Sequence, residues 1–567
     1  MKYYILFLLA FSSIFGYSQG KYYSAPMEIP LVLSGTFAEL RSNHFHSGID
    51  IKTQGITGKT IKAAANGYIS RIVVSPTGYG NALYIDHPNG TTTVYGHLLR
   101  FRDDIQRYIK SVQYEKKSFK VDVPILPGVF PVQKGEMIAL SGNSGSSGGP
   151  HLHFEIRDTH TEEPLNPLAY NFNIADSKPP VVRAVQITPL SDGSLVDYRN
   201  EKKIIQVKRT NKNYELANNF AIPVSGEIGF AVEAYDYLDA ARNRCGLAFL
   251  RLKIDKELYF EMDFNRFSFY ESKYINSFVD YENYITLRRR FQKTWIDPGN
   301  QLGMYRFNLN NGRFYATDNG IHHVEIEMED AYGNISTLNF NIESLKEAPK
   351  TLPNKDLPLF SWNKPNQFAN EDIELEVPHG ALYDSFHFSY NKIPASEDFL
   401  SDIHLVHLNT VPLHKKALLK IKPISLKKEW QEKALLVKID RKSGYFYASG
   451  GKYDDGWVKS RISAFGDYAV IVDTLAPTIK PLSIANNSKL TERNRIRFVI
   501  SDDLAGINKI EGLLDGKWAL FEYDPRINTI THYFDDTYFK LNRQHQLKLT
   551  VTDNKNNSKT YEATFWR

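Results

Sequence analysis

A mainly β, multi-domain chain is predicted by three features of the sequence. Aromatic residues make up 13%, carried by 34 Tyr and 34 Phe against 6 Met, and such rings favour strands. Short alternating runs recur along the chain, bounded by Gly, Pro and Asn turns. The length of 567 residues accommodates three or four domains at roughly 150 residues each. Hydrophobic residues at 42% and charged residues at 23% exclude a disordered or collagen-like chain. Lys+Arg 69 against Asp+Glu 64 leaves a net charge of +5, too small and too evenly spread for a nucleic-acid partner. The single cysteine, Cys245, rules out an internal disulfide framework and any zinc site built on paired thiolates.

Residues 1–19 read as a secretory signal peptide. Lys2 supplies the positive start, Ile5 to Phe15 is an apolar run, and Gly16-Tyr17-Ser18-Gln19-Gly20 is small and polar. That run is short for a bilayer span, and no later stretch approaches about 18 consecutive apolar residues. The mature chain is therefore expected to lack a transmembrane helix. Export to the periplasm or cell envelope, or secretion, is the expected destination.

The first domain is placed at 20–175. Tyr68 to Val74, Ala82 to Asp86 and Thr91 to His97 read as strands, separated by Pro76-Thr77-Gly78 and His87-Pro88-Asn89-Gly90. One helix interrupts them: Ile105, Tyr108, Ile109 and Val112 share a face, and Asp103 and Asp104 are placed to cap its start. Ser177-Lys178-Pro179-Pro180, the Lys- and Pro-rich stretch near 346–358, and Asp473-Thr474-Leu475-Ala476-Pro477 mark boundaries. They divide the remainder into 176–345, 346–474 and 475–567.

The first and third of these segments are repeats. Each opens on a proline-containing linker and sends a strand into an acidic turn, at Asp236 and at Asp502. Each closes with an alternating strand into a second acidic turn, Val324 to Asp330 and Leu547 to Asp553, with Asn334 and Asn557 four residues on. Period-2 alternation implies half-buried strands, and many such strands with polar turns argue for immunoglobulin-like β-sandwiches. Segment 346–474 is strand-rich and of uncertain class.

Chemistry concentrates in the N-terminal third. His46-Ser47-Gly48-Ile49-Asp50 sets a histidine and a carboxylate four apart. Tyr95-Gly96-His97-Leu98 ends a strand. Gly149-Pro150-His151-Leu152-His153-Phe154-Glu155-Ile156 follows a Gly/Ser-rich loop from Gly142. Residues i and i+2 of a strand share a face, so His151 and His153 look out together while Leu152, Phe154 and Ile156 pack inward. Neutral imidazoles and a carboxylate are common zinc ligands. His46, Asp50 and one of the pair would supply three and leave a fourth position open, as in catalytic zinc sites.

These three segments, in this order, resemble the lysostaphin-type (LytM-like) zinc metallopeptidases, which cut peptide cross-links of bacterial peptidoglycan. The resemblance spans about residues 35 to 170 and extends to Gly78-Tyr79-Gly80-Asn81, Ile85-Asp86-His87 and Lys134-Gly135-Glu136. It implies an antiparallel β peptidase domain holding one Zn2+ by His46, Asp50 and His153. His97 and His151 are then the non-ligand catalytic pair, with His151 favoured as general base and His97 as the oxyanion partner. The implied function is an exported endopeptidase acting on peptidoglycan stem peptides and cross-bridges; the C-terminal β domains, outside the resemblance, are a separate candidate surface for an envelope protein partner. Three alternatives stand beside it: a silent regulator of another wall hydrolase, a secreted peptidase acting on proteins, and a scaffold whose functional part is the β array. Some relatives have lost ligands, whereas this chain keeps all five positions.

Other candidates have plainer readings. His44 reads as a rim residue, His87 as part of a turn, and Glu155 as a group that orients a ligand or forms a salt bridge. The Gly142–Gly149 loop lacks the Lys-Ser/Thr ending of a phosphate cradle. The pairs His322/His323 and His404/His407 diverge on their strands, and Cys245 has no partner.

Overall fold

The computed structural model describes residues 22–170, 172–211, 213–218, 220–346, 357–395 and 397–567. The expected targeting segment lies outside these, as does most of the 346–358 linker. Strands hold 47% of residues and helices 8%, as the aromatic and alternating composition predicts.

The first domain contains β1 (Leu33–Gly35), β2 (Ile49–Lys52), β3 (Thr60–Lys62), β4 (Gly67–Val74), β5 (Ala82–Asp86), β6 (Thr91–Gly96), β7 (Leu98–Phe101), α1 (Asp103–Lys116), β8 (Val121–Pro124), β9 (Pro131–Val132), β10 (Met137–Ser141), β11 (His151–Asp158) and β12 (Pro164–Leu165). The large sheet runs β1-β2-β11-β6-β5-β4-β8, and a small one runs β3-β10-β7. Ile49, Ile51, Leu83, Ile85, Tyr95, Leu152, Phe154 and Ile156 fill the core beneath the large sheet. Burying side chains of this size contributes about 1.5–3 kcal/mol each, which pins the register. On β11 that register sets His153 opposite Asp50 of β2 on one side and Gly96 of β6 on the other.

One local reading is corrected. Asp103 and Asp104 do not cap α1: the cap residue is Arg102, with no side-chain cap bond, and both carboxylates sit inside the first turn. There they pair with Arg100 and Arg102, one position past the cap, where carboxylates face the positive end of the helix. His87 opens the turn as expected, its carbonyl accepting from the Gly90 N–H at 3.1 Å, and its ring points inward. It is buried, with Nδ1 bonded to the Asn66 carbonyl at 2.8 Å and Nε2 to Thr93 Oγ1 at 2.8 Å.

Downstream lies a twelve-stranded sheet system between Val181 and Ser344. Residues 357–473 form two five-stranded sheets, with a short β pair beside them, around one core. The last segment packs a four- and a five-stranded sheet around Phe498, Ile530, Leu549 and Phe565. The repeat persists in the pairing. Val181–Pro189 runs antiparallel to Ile222–Tyr235 as Thr478–Pro481 does to Arg495–Ser501. Ile321–Glu329 pairs with Ile335–Ser344 as Gln544–Asp553 does with Ser558–Trp566.

The domains interlock. Phe37, Ala38 and Phe45 of the first domain belong to the core of the second. Phe45 is 1% exposed; its ring lies 5.7 Å from Phe267 and 6.2 Å from Phe278, and its N–H donates to Ser272 Oγ at 2.9 Å. The fourth domain folds back onto α1. Tyr114 stacks on Tyr538 at 3.5 Å between ring centres and meets Trp518 edge-on at 5.2 Å, while Lys110 pairs with Asp535. We predict that Phe45→Ala costs about 3–5 kcal/mol, the range for emptying a buried phenyl site. Urea unfolding should show the loss, with hydrogen exchange rising both at 36–46 and at 264–278.

Candidate functional site

The site lies on the outer face of β2, β11 and β6. His46 Nε2, Asp50 Oδ1 and His153 Nδ1 converge: His46 is 3.0 Å from Asp50, His153 is 3.0 Å from Asp50, and the two imidazole nitrogens are 3.1 Å apart. All three residues are buried. Each histidine is held from behind. His46 Nδ1 donates to the Thr36 carbonyl at 2.7 Å, and His153 Nε2 donates to Glu155 Oε1 at 2.7 Å. Those bonds turn one lone pair of each ring toward the carboxylate. Three electron-rich atoms at this spacing repel one another unless a cation lies among them.

The electrostatics carry the same message. Burial would raise Asp50, but the adjacent His46, His151 and His153 hold it well below the carboxylate range. Burial would lower His153, yet Asp50 and Glu155 outweigh it and hold it up at about 9. A proton or a metal ion must therefore satisfy this trio. Two imidazoles and a carboxylate, oriented from behind and exposing one nitrogen each, fit zinc.

The other two histidines stand beside the trio. The His151 ring lies 4.7 Å from that of His97, and His97 lies 5.9 Å from His153. His151 Nδ1 donates to the Gly149 carbonyl at 2.8 Å, leaving Nε2 3.4 Å from Asp50 Oδ1. His97 Nδ1 donates to the Ser144 carbonyl at 2.8 Å. With Nδ1 engaged by a carbonyl, each ring turns its Nε2 toward the site. Burial first, and then the His153 and His151 charges, bring His97 down to about 3. β6 ends at Gly96, and His97 itself takes a left-handed φ of 59°, a conformation that swings its side chain out of the strand's alternation. Ser144 is set by a close backbone approach: Gly145 and Gly80 have φ of 69° and 66°, and a Cβ on Gly145 would lie 2.3 Å from Gly80 N.

Glu155 both bonds His153 and forms a buried ion pair with Arg157. It accepts from His153, from Ser47 Oγ at 2.5 Å, from Tyr79 Oη at 2.7 Å and from Arg157 Nε at 2.6 Å. Burial would raise it, but Arg157 and His153 keep it far below the carboxylate range. Sequence reasoning left Arg157 and Arg41 unmentioned and gave Tyr79, quoted within a family segment, no role of its own. Arg157 lies over the Phe269 ring at 4.6 Å; Tyr79 packs 5.1 Å from the His153 ring; Arg41 reaches Asp50 Oδ2 at 3.1 Å. Period 2 from His153 through Glu155 would have found Arg157. The other two depend on loop packing.

The remaining candidates stay apart. His44 is exposed and bonds the Ser42 carbonyl at 2.8 Å. His322 pairs with Asp255 and Asp318, while His323 bonds Asn339 and Asn341. His404 meets Tyr390 and His407 meets Ser389. Burial pushes the Cys245 thiol up to about 12, leaving it inert. On the far side of the glycine loop, Arg526 of the fourth domain donates to the Ser147 carbonyl at 3.0 Å. A cleft of about 430 Å³ separates the two domains there.

Comparison with known proteins bears on this geometry. Residues 44–113 match the model of peptidase family M23, and residues 358–473 match that of the Zu5-like domain. The M23 match takes in His46, Asp50 and His97 and ends before His151 and His153. The chain is 33% identical over 130 residues to the DD-carboxypeptidase/endopeptidase Mpg of Neisseria meningitidis serogroup B, covering 23% of this chain and 24% of that protein. It is 32% identical over 111 residues to an uncharacterized metalloprotease of Haemophilus influenzae, covering 20% and 18%. The chain thus matches about a quarter or less of the length of these curated relatives. Among solved structures, the catalytic domain of lysostaphin from Staphylococcus simulans is 21% identical, covering 25% of this chain and 92% of that one with a TM-score of 0.19. A zinc-containing peptidase from Vibrio cholerae is 22% identical, covering 25% and 39%, with a TM-score of 0.19.

We predict that Glu155→Ala destabilises the first domain by about 3–5 kcal/mol, because it strands Arg157 as a buried unpaired charge. The double change Glu155→Gln with Arg157→Met should cost less than the single one. Denaturant unfolding of the two variants side by side makes the comparison.

Proposed function

We propose that this chain, whose N-terminal domain is of the LytM-type (M23) peptidase family, is an exported zinc metalloendopeptidase that hydrolyses peptide cross-links of bacterial peptidoglycan. One observation carries the reading: His46 Nε2, Asp50 Oδ1 and His153 Nδ1 meet within 3.1 Å, with His151 Nε2 3.4 Å from Asp50 Oδ1 alongside. The curated Neisseria relative is named as a DD-carboxypeptidase/endopeptidase, which supports the substrate class.

In this reading His46, Asp50 and His153 hold one zinc ion. When bound, zinc supplies a Lewis acid that acidifies water and polarises the scissile carbonyl. His151 Nε2 accepts the proton of the attacking water as its oxygen bonds to the carbonyl carbon. The imidazolium formed returns that proton to the leaving amine as the C–N bond breaks, so charge and protons balance. His97, its ring 4.7 Å from that of His151, stands on the side of the site where the resemblance places the oxyanion's partner. Glu155 and the Thr36 carbonyl keep the two ligand rings in one tautomer. The glycine loop lets an extended peptide approach the backbone closely.

The two repeats are read as immunoglobulin-like sandwiches that position the enzyme in the periplasm or cell envelope, where they offer surface for a protein partner. Among the described residues no helix is long and apolar enough to cross a membrane. The regulator reading is disfavoured because all five family positions are occupied by the expected residue types.

His153→Ala and Asp50→Ala are expected to lose both zinc and turnover. His151→Ala should retain zinc while turnover falls about 10²–10⁴-fold, the usual worth of a general base. Metal analysis of the purified variants, with mass spectrometry of cross-linked muropeptides before and after treatment, reads both. A zinc-free His153→Ala that still cleaves would overturn the ligand set, and intact muropeptides with a cleaved protein substrate would favour the protein-directed alternative.

A further inference from the structure

The acidic turns of the two repeats remain outside the peptidase site. Asp176 lies in the linker ahead of Val181–Pro189, Asp236 follows directly on Ile222–Tyr235, and Asp330 follows directly on Ile321–Glu329. Oxygens of these three carboxylates lie within 4.8 Å of one another. Asp473, Asp502 and Asp553 do the same at the start of the fourth domain. The correspondence extends to the scaffold. Asp330 Oδ1 accepts from the N–H groups of Tyr332 and Asn334, as Asp553 Oδ1 does from those of Lys555 and Asn557. Asn334 Nδ2 joins Asp330 Oδ2 to the Asp176 carbonyl, as Asn557 Nδ2 joins Asp553 Oδ2 to the Asp473 carbonyl.

An acidic cluster alone proves little, but the first one holds orphaned charge. Asp236 is 3% exposed, and its Oδ1 is buried with no hydrogen-bond partner; Asp176 Oδ2 is likewise buried and unpartnered. Leaving a buried carboxylate oxygen unsatisfied is expensive. The nearby ammonium of Lys178 is spent on the carbonyls of Leu238 and Asp239. At the fourth domain Asp502 Oδ1 is the unpartnered oxygen. Burial, and then the neighbouring carboxylates, push Asp236 up to about 8.

We propose that Asp176, Asp236 and Asp330 bind a hard divalent cation, calcium by preference, at the junction of the first and second domains. Every donor in the cluster is an oxygen, which selects calcium or magnesium over zinc or copper. The strand ends and the linker supply donors from three separate segments, and such irregular all-oxygen sets suit the flexible coordination of calcium better than the strict octahedron of magnesium. The bound ion ties the linker that leaves the peptidase domain to two strand ends of the second domain. It thereby fixes the angle between the domain that carries the five histidine and aspartate positions and the domain that grips Phe45. This site is independent of the peptidase reading.

The test uses the zinc-loaded mature chain in calcium-depleted buffer, titrated with calcium chloride by calorimetry and followed in parallel by thermal unfolding. Asp236→Asn is nearly isosteric and removes one charge from a crowded trio. Without calcium it should melt at or above the temperature of the parent chain. With 5 mM calcium the parent should rise by about 3 °C or more, while Asp236→Asn rises less and binds one equivalent fewer. Asp502→Asn serves as a second variant and keeps the first-junction equivalent. The proposal is overturned if the parent binds no calcium at millimolar concentration, which would leave a shared proton to satisfy the trio. It is equally overturned if Asp236→Asn binds as much calcium as the parent.

Discussion

Three atoms that would repel in isolation are held together in the first domain: the inward nitrogens of His46 and His153 and one oxygen of Asp50, none more than 3.1 Å from the next. Such a trio exists only because stronger constraints surround it. The β2-β11-β6 register puts Asp50, His153 and Gly96 in line across three strands, anchored by apolar residues on the opposite face. A carbonyl and a carboxylate then take the outer N–H of each ring. The site is an electrostatic deficit built by packing, and a cation is its natural complement.

Its geometry does not belong to the first domain alone. The loop carrying His46 is pinned through Phe45 into the second domain's core, and Arg157 behind Glu155 lies against Phe269 of the same domain. The face of β11 that bears His153, Glu155 and Arg157 is consequently buried on both sides. The fourth domain reaches the opposite rim, with α1 between Tyr538 and Trp518 and Arg526 on the Ser147 carbonyl. The β domains therefore contact the segments that frame the site from two directions.

The repeated acidic turns follow the same logic on a different scale. In both repeats a linker aspartate meets two strand-end aspartates, and an asparagine four residues past the last one stitches linker to turn. Crowding like charges at a junction is costly, so its recurrence in two domains joins naturally to a cation that offsets it.

Much of this was legible in the order of residues. Period-2 alternation and turn residues specify β structure because side chains of a strand alternate between two faces, and the H-x-x-x-D, strand-end His97 and H-x-H segments supplied candidate residues whose roles rested on a family resemblance. The paired acidic turns were visible too, as a repeat without a stated purpose. Tertiary structure alone decided the rest. It brought His46 and Asp50 to His153, about a hundred residues away, through strand register. It recruited Tyr79 and Arg41 from loops and buried His87. It placed Arg102 rather than either aspartate at the cap of α1. Local patterns encode which face a residue takes; which distant residue it meets depends on long-range packing, whose energy is shared among many contacts and written in no single segment.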